Sequence, residues 1–177
     1  MILFSGCETE NNQAPLDIEL QRDIQRINNY IRNNPFPFEK EYNNPTLGVR
    51  VFWTEVAGSG KKPNFGDTLI FDYVARRFDE PDWVLDTSKK SVAEYWSFLF
   101  SDKHVFGPVE YIFGSSLGKL ADGFEIVFPI IEEGDKVTAF FPSRYGNKNP
   151  AYPRIPGNSL LIFDLELLEI KGKAESD

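Results

Sequence analysis

The sequence predicts an α+β domain with a mainly antiparallel sheet, and three observations lead there. A helical apolar stripe near the N-terminus gives way to strand-like alternation after about residue 46. Turn signals then punctuate the strand candidates at short intervals. A single short helical pattern interrupts them, which is the arrangement of an antiparallel sheet with a segregated helix. The 177 residues suit one domain of ordinary size with a short appendage, and 41% hydrophobic against 26% charged residues is a globular balance.

The elements follow in order. Residues 8–14 are polar and read as a tether. Over 15–33, Leu20, Ile24, Ile27 and Ile31 fall on one helical face, Pro15 suits the first turn, and Asp17 and Glu19 lie at the positive end of the dipole. Asn33-Asn34-Pro35 stops this helix. Its stripe either packs on the main domain, the option favoured for one short helix, or pairs with a second copy in a homodimer. Residues 35–45, with Pro35, Pro37 and Pro45, read as an extended connector. Val49, Val51 and Trp53 then alternate with Arg50, Phe52 and Thr54 as a strand, and Gly58-Ser59-Gly60 turns the chain. Further strands are predicted at 68–74, 83–85, 111–113, 136–141 and 160–170, with one helix over 119–128 ended by Pro129.

Composition excludes several kinds of chemistry. Lys plus Arg is 19 and Asp plus Glu is 27, a net charge of −8, so a basic stripe for nucleic acid is absent. Cys7 is the only cysteine and His104 the only histidine, which rules out an internal disulfide and zinc sites built from Cys and His clusters. A serine triad could draw only on His104, whose own loop carries no nucleophile-elbow pattern and which is expected to be a solvated loop residue. Gly58-Ser59-Gly60-Lys61-Lys62 is not a phosphate loop, because the earlier glycine is missing and Lys62 replaces the Ser or Thr. Glu132-Glu133 is expected to be a solvated charged turn. Aromatics reach 15% of the chain, which favours an apolar binding site without metal or cofactor.

The N-terminal run Met1-Ile2-Leu3-Phe4-Ser5-Gly6-Cys7 resembles the end of a bacterial lipoprotein signal peptide, with Cys7 as the lipid attachment site. Phe4 stands where that pattern prefers Leu, and no basic segment precedes it. The other reading is an ordinary N-terminus with a stray cysteine. The first implies a membrane anchor by acyl chains and a place in the bacterial envelope, facing the periplasm or on the outer membrane.

One ordered series spans about 46–171: Gly58-x-Gly60, Gly66-Asp67, Tyr73, Asp86-Thr87-Ser88, Pro108, Phe113-Gly114, Gly123, Gly134-Asp135, Pro142, Tyr145-Gly146, then Ile155-Pro156-x-x-Ser159-Leu160-x-x-Phe163-x-x-Glu166-Leu167. In this order and spacing the chain resembles the FKBP-type peptidyl-prolyl cis-trans isomerases, and the lipoprotein-like start adds the gliding-motility-associated type. The resemblance implies a bent antiparallel sheet wrapped around one short helix, with the pocket between them. It divides the chain into a signal remnant and tether (1–14), an N-terminal helix and connector (15–45) and an isomerase domain (46–177) with an insert at 89–107. The implied activity is rotation of X–Pro amides in proline-containing proteins or peptides, a chaperone-like folding function needing no cofactor. A catalytically weak module that holds a partner protein is the alternative.

By the family's motif, Tyr73 lines the pocket and orients the carboxylate of Asp86. Tyr145 hydrogen-bonds a substrate carbonyl, Ile155 supports the rim, Phe163 closes the inner wall, and a backbone N–H near Leu117 meets the substrate. Leu85, Val109 and Leu120 stand where the family has aromatics, Leu120 in place of the Trp at the pocket floor just before the helix. The stretch between Gly114 and Leu120 is also short, and weak macrolide binding is implied. The 89–107 insert carries Tyr95, Trp96, Phe98, Leu99, Phe100 and Phe106. It either folds over the pocket or forms a satellite core. The loop at 147–153 lies beside Tyr145 in sequence and is a further candidate for substrate contact.

Overall fold

A computed structural model describes residues 14–95, 105–115, 122–146 and 159–173. It contains helix α1 (Ala14–Asn33), strands β1 (Lys40–Asn44), β2 (Val49–Glu55), β3 (Thr68–Arg77) and β4 (Val84–Thr87), and helix α2 (Lys90–Tyr95). Strand β5 (Val109–Ile112), helix α3 (Phe124–Val127), strand β6 (Lys136–Phe141) and strand β7 (Leu161–Lys171) follow. The seven strands form one sheet in the order β1-β2-β6-β7-β3-β4, with β5 also paired to β3. Every pairing is antiparallel. The α+β architecture expected from the sequence is the one observed.

Strand alternation divides the apolar residues between the two faces of the sheet. Val49, Val51 and Trp53 of β2, Leu69, Phe71 and Ala75 of β3, Val137, Ala139 and Phe141 of β6, and Leu161, Phe163 and Leu165 of β7 form the main core with Phe124 and Val127 of α3. The residues between them point the other way. Phe52, Phe140 and Ile162 meet Phe78 and Leu160 in a second cluster, which Ile27, Tyr30, Ile31 and Phe36 cover. The predicted stripe of α1 is thus spent inside the chain: Leu20 is 7% and Ile27 1% exposed. Burying an isoleucine side chain contributes about 1.5–3 kcal/mol, so this contact is a substantial part of why α1 is ordered on the sheet.

Gly48 permits the close approach of α1 to the β1–β2 turn. Its φ is +72°, and a Cβ there would lie 2.6 Å from Cγ1 of Ile24 and 3.0 Å from Cγ of Pro142. A side chain would meet both the left-handed penalty and a clash.

Three elements differ from expectation. The 35–45 connector contains strand β1, whose sequence Lys-Glu-Tyr-Asn-Asn has little strand propensity. Pairing with β2 makes it a strand, and its charges suit an edge. The helix expected over 119–128 runs instead over Phe124–Val127, with a 3₁₀ turn at Phe128–Ile130. The α-helix ends at Val127, two residues before Pro129, and Pro129 sits in the first turn of the 3₁₀ segment, where its missing N–H is not needed. The described part of the 89–107 insert holds α2, whose Ala93 is buried while Tyr95 is 82% exposed. Trp96, Phe98, Leu99 and Phe100 lie outside the described residues. The two ends of the insert are tied together by Gly107 N–H donating to Ser88 C=O at 2.9 Å.

Candidate functional site

The site is organised by β3 and β4. Tyr73 Oη donates to Asp86 Oδ2 at 2.7 Å, and Thr87 N–H donates to Asp86 Oδ1 at 2.9 Å, so each oxygen of the carboxylate is held. Asp86-Thr87-Ser88 then grips the backbone of Tyr73. Thr87 Oγ1 donates to Tyr73 C=O at 2.8 Å, Ser88 N–H donates to the same oxygen at 3.1 Å, and Tyr73 N–H donates to Ser88 Oγ at 2.9 Å. Ser88 Oγ in turn donates to Asp72 Oδ1 at 2.6 Å. Thr87 and Ser88 are buried, and charge-assisted and low-dielectric hydrogen bonds of this kind fix geometry.

A register shift between Ala75 and Arg76 leaves Leu85 as the extra residue on β4. Bulges of this type re-aim neighbouring side chains. Here Leu85 enters the core at 3% exposure while Asp86 stays at the half-buried edge.

The inner wall is aromatic. Phe163 lies 6.2 Å from Tyr73 between ring centroids, 5.4 Å from Phe141, and 4.8 Å edge-on from Phe124. Phe124 also contacts Phe71 at 5.9 Å and Phe128 at 5.6 Å. Edge-on and offset rings add about 0.5–1.5 kcal/mol per pair to area burial, so this wall is stiff. Val109 of β5 stands opposite Phe71 and is half-buried against the same core.

Tyr145 hangs on a 3₁₀ turn at Ser143–Tyr145 just after β6. It is half-buried, packs on the main core, and its C=O accepts from Gly123 N–H at 3.2 Å. That bond joins the Tyr145 turn to the head of α3. Beside this helix, the hydroxyl of Tyr111 donates to Glu125, and burial together with that carboxylate pushes the Tyr111 phenol up to about 12.

Tyr73 is thus bonded to Asp86 and in ring contact with Phe163, while Leu85, Val109 and Tyr145 pack into or against the same main core. Leu117, Leu120 and Ile155 lie outside the described residues, as do Cys7, His104 and the 147–153 loop. Phe124 is the residue that sequence reasoning missed. A helix starting near 119 put Leu120 at its head, whereas the helix starts at Phe124 and an aromatic occupies that place. The signal was present in Gly123-Phe124, since Gly123 lies against Phe141 so closely that a Cβ would be 2.6 Å from its ring.

Two other motifs resolve. Glu132-Glu133 is not a free solvated turn. Glu132 accepts from Gly60 N–H at 2.7 Å, Glu133 accepts from Lys61 Nζ at 2.7 Å and from Ile170 N–H at 2.6 Å, and Lys61 C=O accepts from Glu133 N–H at 2.9 Å. These bonds hold the Glu133 carboxyl below its usual range, the Lys61 bond most of all. They also fill the Gly58–Lys62 loop with carboxylate, which is incompatible with phosphate. The run Gly114-Ser115-Ser116-Leu117-Gly118 does spell a nucleophile-elbow pattern. It opens on a turn after β5, where Ser115 N–H donates to Ile112 C=O, and Ser116 lies outside the described residues. Among the described residues no group of His, Cys, Asp and Glu could hold a metal ion.

No protein-family model matches the chain. The chain is 29% identical over 113 residues to FK506-binding protein 1 of Aspergillus oryzae, covering 64% of this chain and 90% of that protein. It is 24% identical over 143 residues to the FKBP-type peptidyl-prolyl cis-trans isomerase FkpA of Escherichia coli, covering 80% of this chain and 45% of the relative. The crystal structure of FkpA superposes with a TM-score of 0.58 at 21% identity, over 90% of this chain and 64% of that one. That likeness carries the fold. The near-complete coverage of the fungal relative, the shared architecture and the Tyr73–Asp86 pair set against its aromatic wall agree with one another, and they make the chain similar to the FKBP-type peptidyl-prolyl isomerases in sequence and in fold.

Proposed function

We propose that this chain is an active peptidyl-prolyl cis-trans isomerase that assists the folding of bacterial envelope proteins. The observation that carries the reading is the immobilised Tyr73–Asp86 pair, 2.7 Å apart, at the edge of the Phe163–Phe124 wall. Rotation about an X–Pro amide must cross a barrier of about 18–20 kcal/mol, because twisting removes the resonance of the planar form. The uncatalysed change takes tens to hundreds of seconds. An aromatic wall that excludes water favours the twisted amide, which is less dipolar than the planar one. A fixed carboxylate and a Tyr145 hydroxyl then hold the peptide while it turns, and each 1.36 kcal/mol of preferential binding of the twisted form gives about tenfold in rate. No proton transfer is required, which fits a site built from phenyl rings and one tethered carboxylate.

Proline-limited refolding of a model client tests this. Wild-type protein is expected to accelerate the slow phase, and Asp86→Val and Tyr145→Phe to reduce that acceleration about tenfold or more. A slow phase indifferent to the protein, or acceleration unchanged in both variants, would remove the reading. A second reading, a holding module without turnover, is favoured by one observation: Leu85 and Val109 are aliphatic, and Leu85 is packed away at 3% exposure. It predicts saturable binding of a proline-containing peptide with no acceleration. The envelope assignment is supported by Ser5-Gly6-Cys7. Incorporation of an alkyne-labelled fatty acid that is abolished by Cys7→Ser in an expressing bacterium tests it. No helix among the described residues is long and apolar enough to cross a membrane.

A further inference from the structure

We propose that Asp23 of helix α1 is a positioning residue for Tyr145, so that the N-terminal helix contributes to the site through the turn that carries Tyr145. The inference rests on the isomerase reading for its functional consequence, but its geometry stands apart from it. Asp23 is a carboxylate at 3% exposure in the middle of an otherwise apolar helix face. A buried charge is costly unless hydrogen bonds compensate it, so its partners mark what it is there to hold. Those partners belong to the Tyr145 turn. Ser143 N–H donates to Asp23 Oδ2 at 2.9 Å and Ser143 Oγ donates to the same oxygen at 2.5 Å. Arg26, one turn along α1, reaches Oδ1 at 3.8 Å.

Ser143 opens the 3₁₀ turn that ends in Tyr145, and that turn has no cap of its own: Pro142 precedes it and offers no side-chain bond. Its first N–H would otherwise be an orphan donor in the interior. Asp23 supplies the missing cap from a helix 120 positions away in sequence. The turn is fastened at its other end by Gly123 N–H donating to Tyr145 C=O at 3.2 Å, and it closes on itself through Gly146 N–H donating to Ser143 C=O at 3.1 Å. The chain of contacts therefore runs from α1 through Ser143 to Tyr145 and on to the head of α3, where Phe124 begins. Helix α1 thus covers the far face of the sheet with Ile27 and Ile31 and fixes the Tyr145 turn with the buried acid Asp23.

The test compares Asp23→Ala, Asp23→Asn and Ser143→Ala in the full chain. The first readout does not depend on turnover: amide hydrogen exchange at Ser143–Gly146, with the ring signals of Tyr145 followed by NMR. Asp23→Ala is expected to speed exchange at Ser143 and Tyr145 at least tenfold relative to β6, and to shift or broaden the Tyr145 ring signals. Asp23→Asn, which keeps an acceptor oxygen, is expected to stay within about threefold of wild type, with Ser143→Ala between them. The second readout is kcat/KM for proline isomerisation, expected to fall about tenfold in Asp23→Ala but less than twofold when the same change is made in a Tyr145→Phe background. Unchanged exchange and ring signals in Asp23→Ala overturn the proposal. An equal loss of kcat/KM in both backgrounds overturns it too, because that is the mark of general destabilisation. Should the wild type show no isomerisation, the function proposed above fails, while exchange and ring signals still decide the positioning. Should Asp23→Ala not fold, Asp23→Asn and Ser143→Ala carry the same comparison.

Discussion

The carboxylate of Asp135 is the strongest structural commitment at the base of β6, and replacing it by asparagine is a sharp test of the packing described above. Asp135 is 2% exposed and accepts three N–H bonds: Trp53 Nε1 at 2.7 Å and Glu132 N at 2.9 Å on Oδ2, and Ala57 N at 2.9 Å on Oδ1. The bonds tie together β2, the loop after it and the Glu132 turn. In Asp135→Asn the amide oxygen can take the place of Oδ2 and keep two donors, but both become neutral bonds. Bonds to a charged group contribute about 1.5–3 kcal/mol against about 0.5–1.5 for neutral ones, so this step costs about 1 kcal/mol per bond. The amide NH₂ then faces the Ala57 N–H, and one bond is lost outright. Ala57 is exposed, so water recovers part of that loss. The sum is about 2–3 kcal/mol. Asp135→Ala strands all three donors, two of them against a buried indole and turn, and costs about 4 kcal/mol. Urea denaturation followed by tryptophan fluorescence reads this out. With a slope of about 2 kcal/mol per molar, Asp135→Asn moves the midpoint down by about 1 M. Combined with Trp53→Phe, the two changes should be less than additive by about 1 kcal/mol, since they share a bond. A midpoint shift under about 0.2 M, or strict additivity, would refute the argument that this acid organises the base of the sheet.

Other outcomes follow from single contacts. Tyr111 titrates at about 12 in the folded protein against about 10 when unfolded, so its contribution is intact below pH 10 and is lost as pH rises toward 12. The difference in urea midpoint between wild type and Tyr111→Phe should therefore be constant up to about pH 10 and shrink above it; a difference that grows with pH contradicts the assignment. Phe124→Ala should cost about 3–5 kcal/mol and abolish peptide binding, because Phe124 is 1% exposed beneath Phe163; calorimetry and peptide titration measure the two effects. Gly48→Ala should cost about 2 kcal/mol or more by thermal unfolding, as φ is +72° and Ile24 is in the way; a neutral result would show that α1 can shift on the turn.

Much of the fold was legible because the signals are local. The α1 stripe, the alternation of Val49, Val51 and Trp53, and strand β6 needed only periodicity, and the structure reproduces β6 at 136–141. Tyr73, Asp86, Tyr145 and Phe163 came from the family's motif; the structure bonds Tyr73 to Asp86, sets its ring against Phe163 and packs Tyr145 on the same core. What was not legible depended on partners distant in sequence. Strand β1 has no strand character until β2 offers it hydrogen bonds. Glu132 and Glu133 look solvated until the Gly58–Lys62 loop folds onto them. The head of α3 was misplaced because the helix pattern around 119–128 is too short to show its own start, and Phe124 is selected by contact with Phe71, Phe141 and Phe163.

By itself the sequence determined that this is an α+β domain with one cysteine and one histidine, too few for an internal disulfide or a Cys/His zinc cluster, aromatic enough for a dry site, with an apolar helix face awaiting cover. Periodicity and composition are properties of neighbouring residues, and they suffice for that. Only the tertiary structure decided which surface covers that face, which aromatic forms the floor, and that Asp23 on the helix stripe is bonded to the Tyr145 turn. Those outcomes turn on burial. A carboxylate such as Asp23 reads as an ordinary polar position until the sheet closes over it, and then its hydrogen-bond partners, 120 residues away, become obligatory.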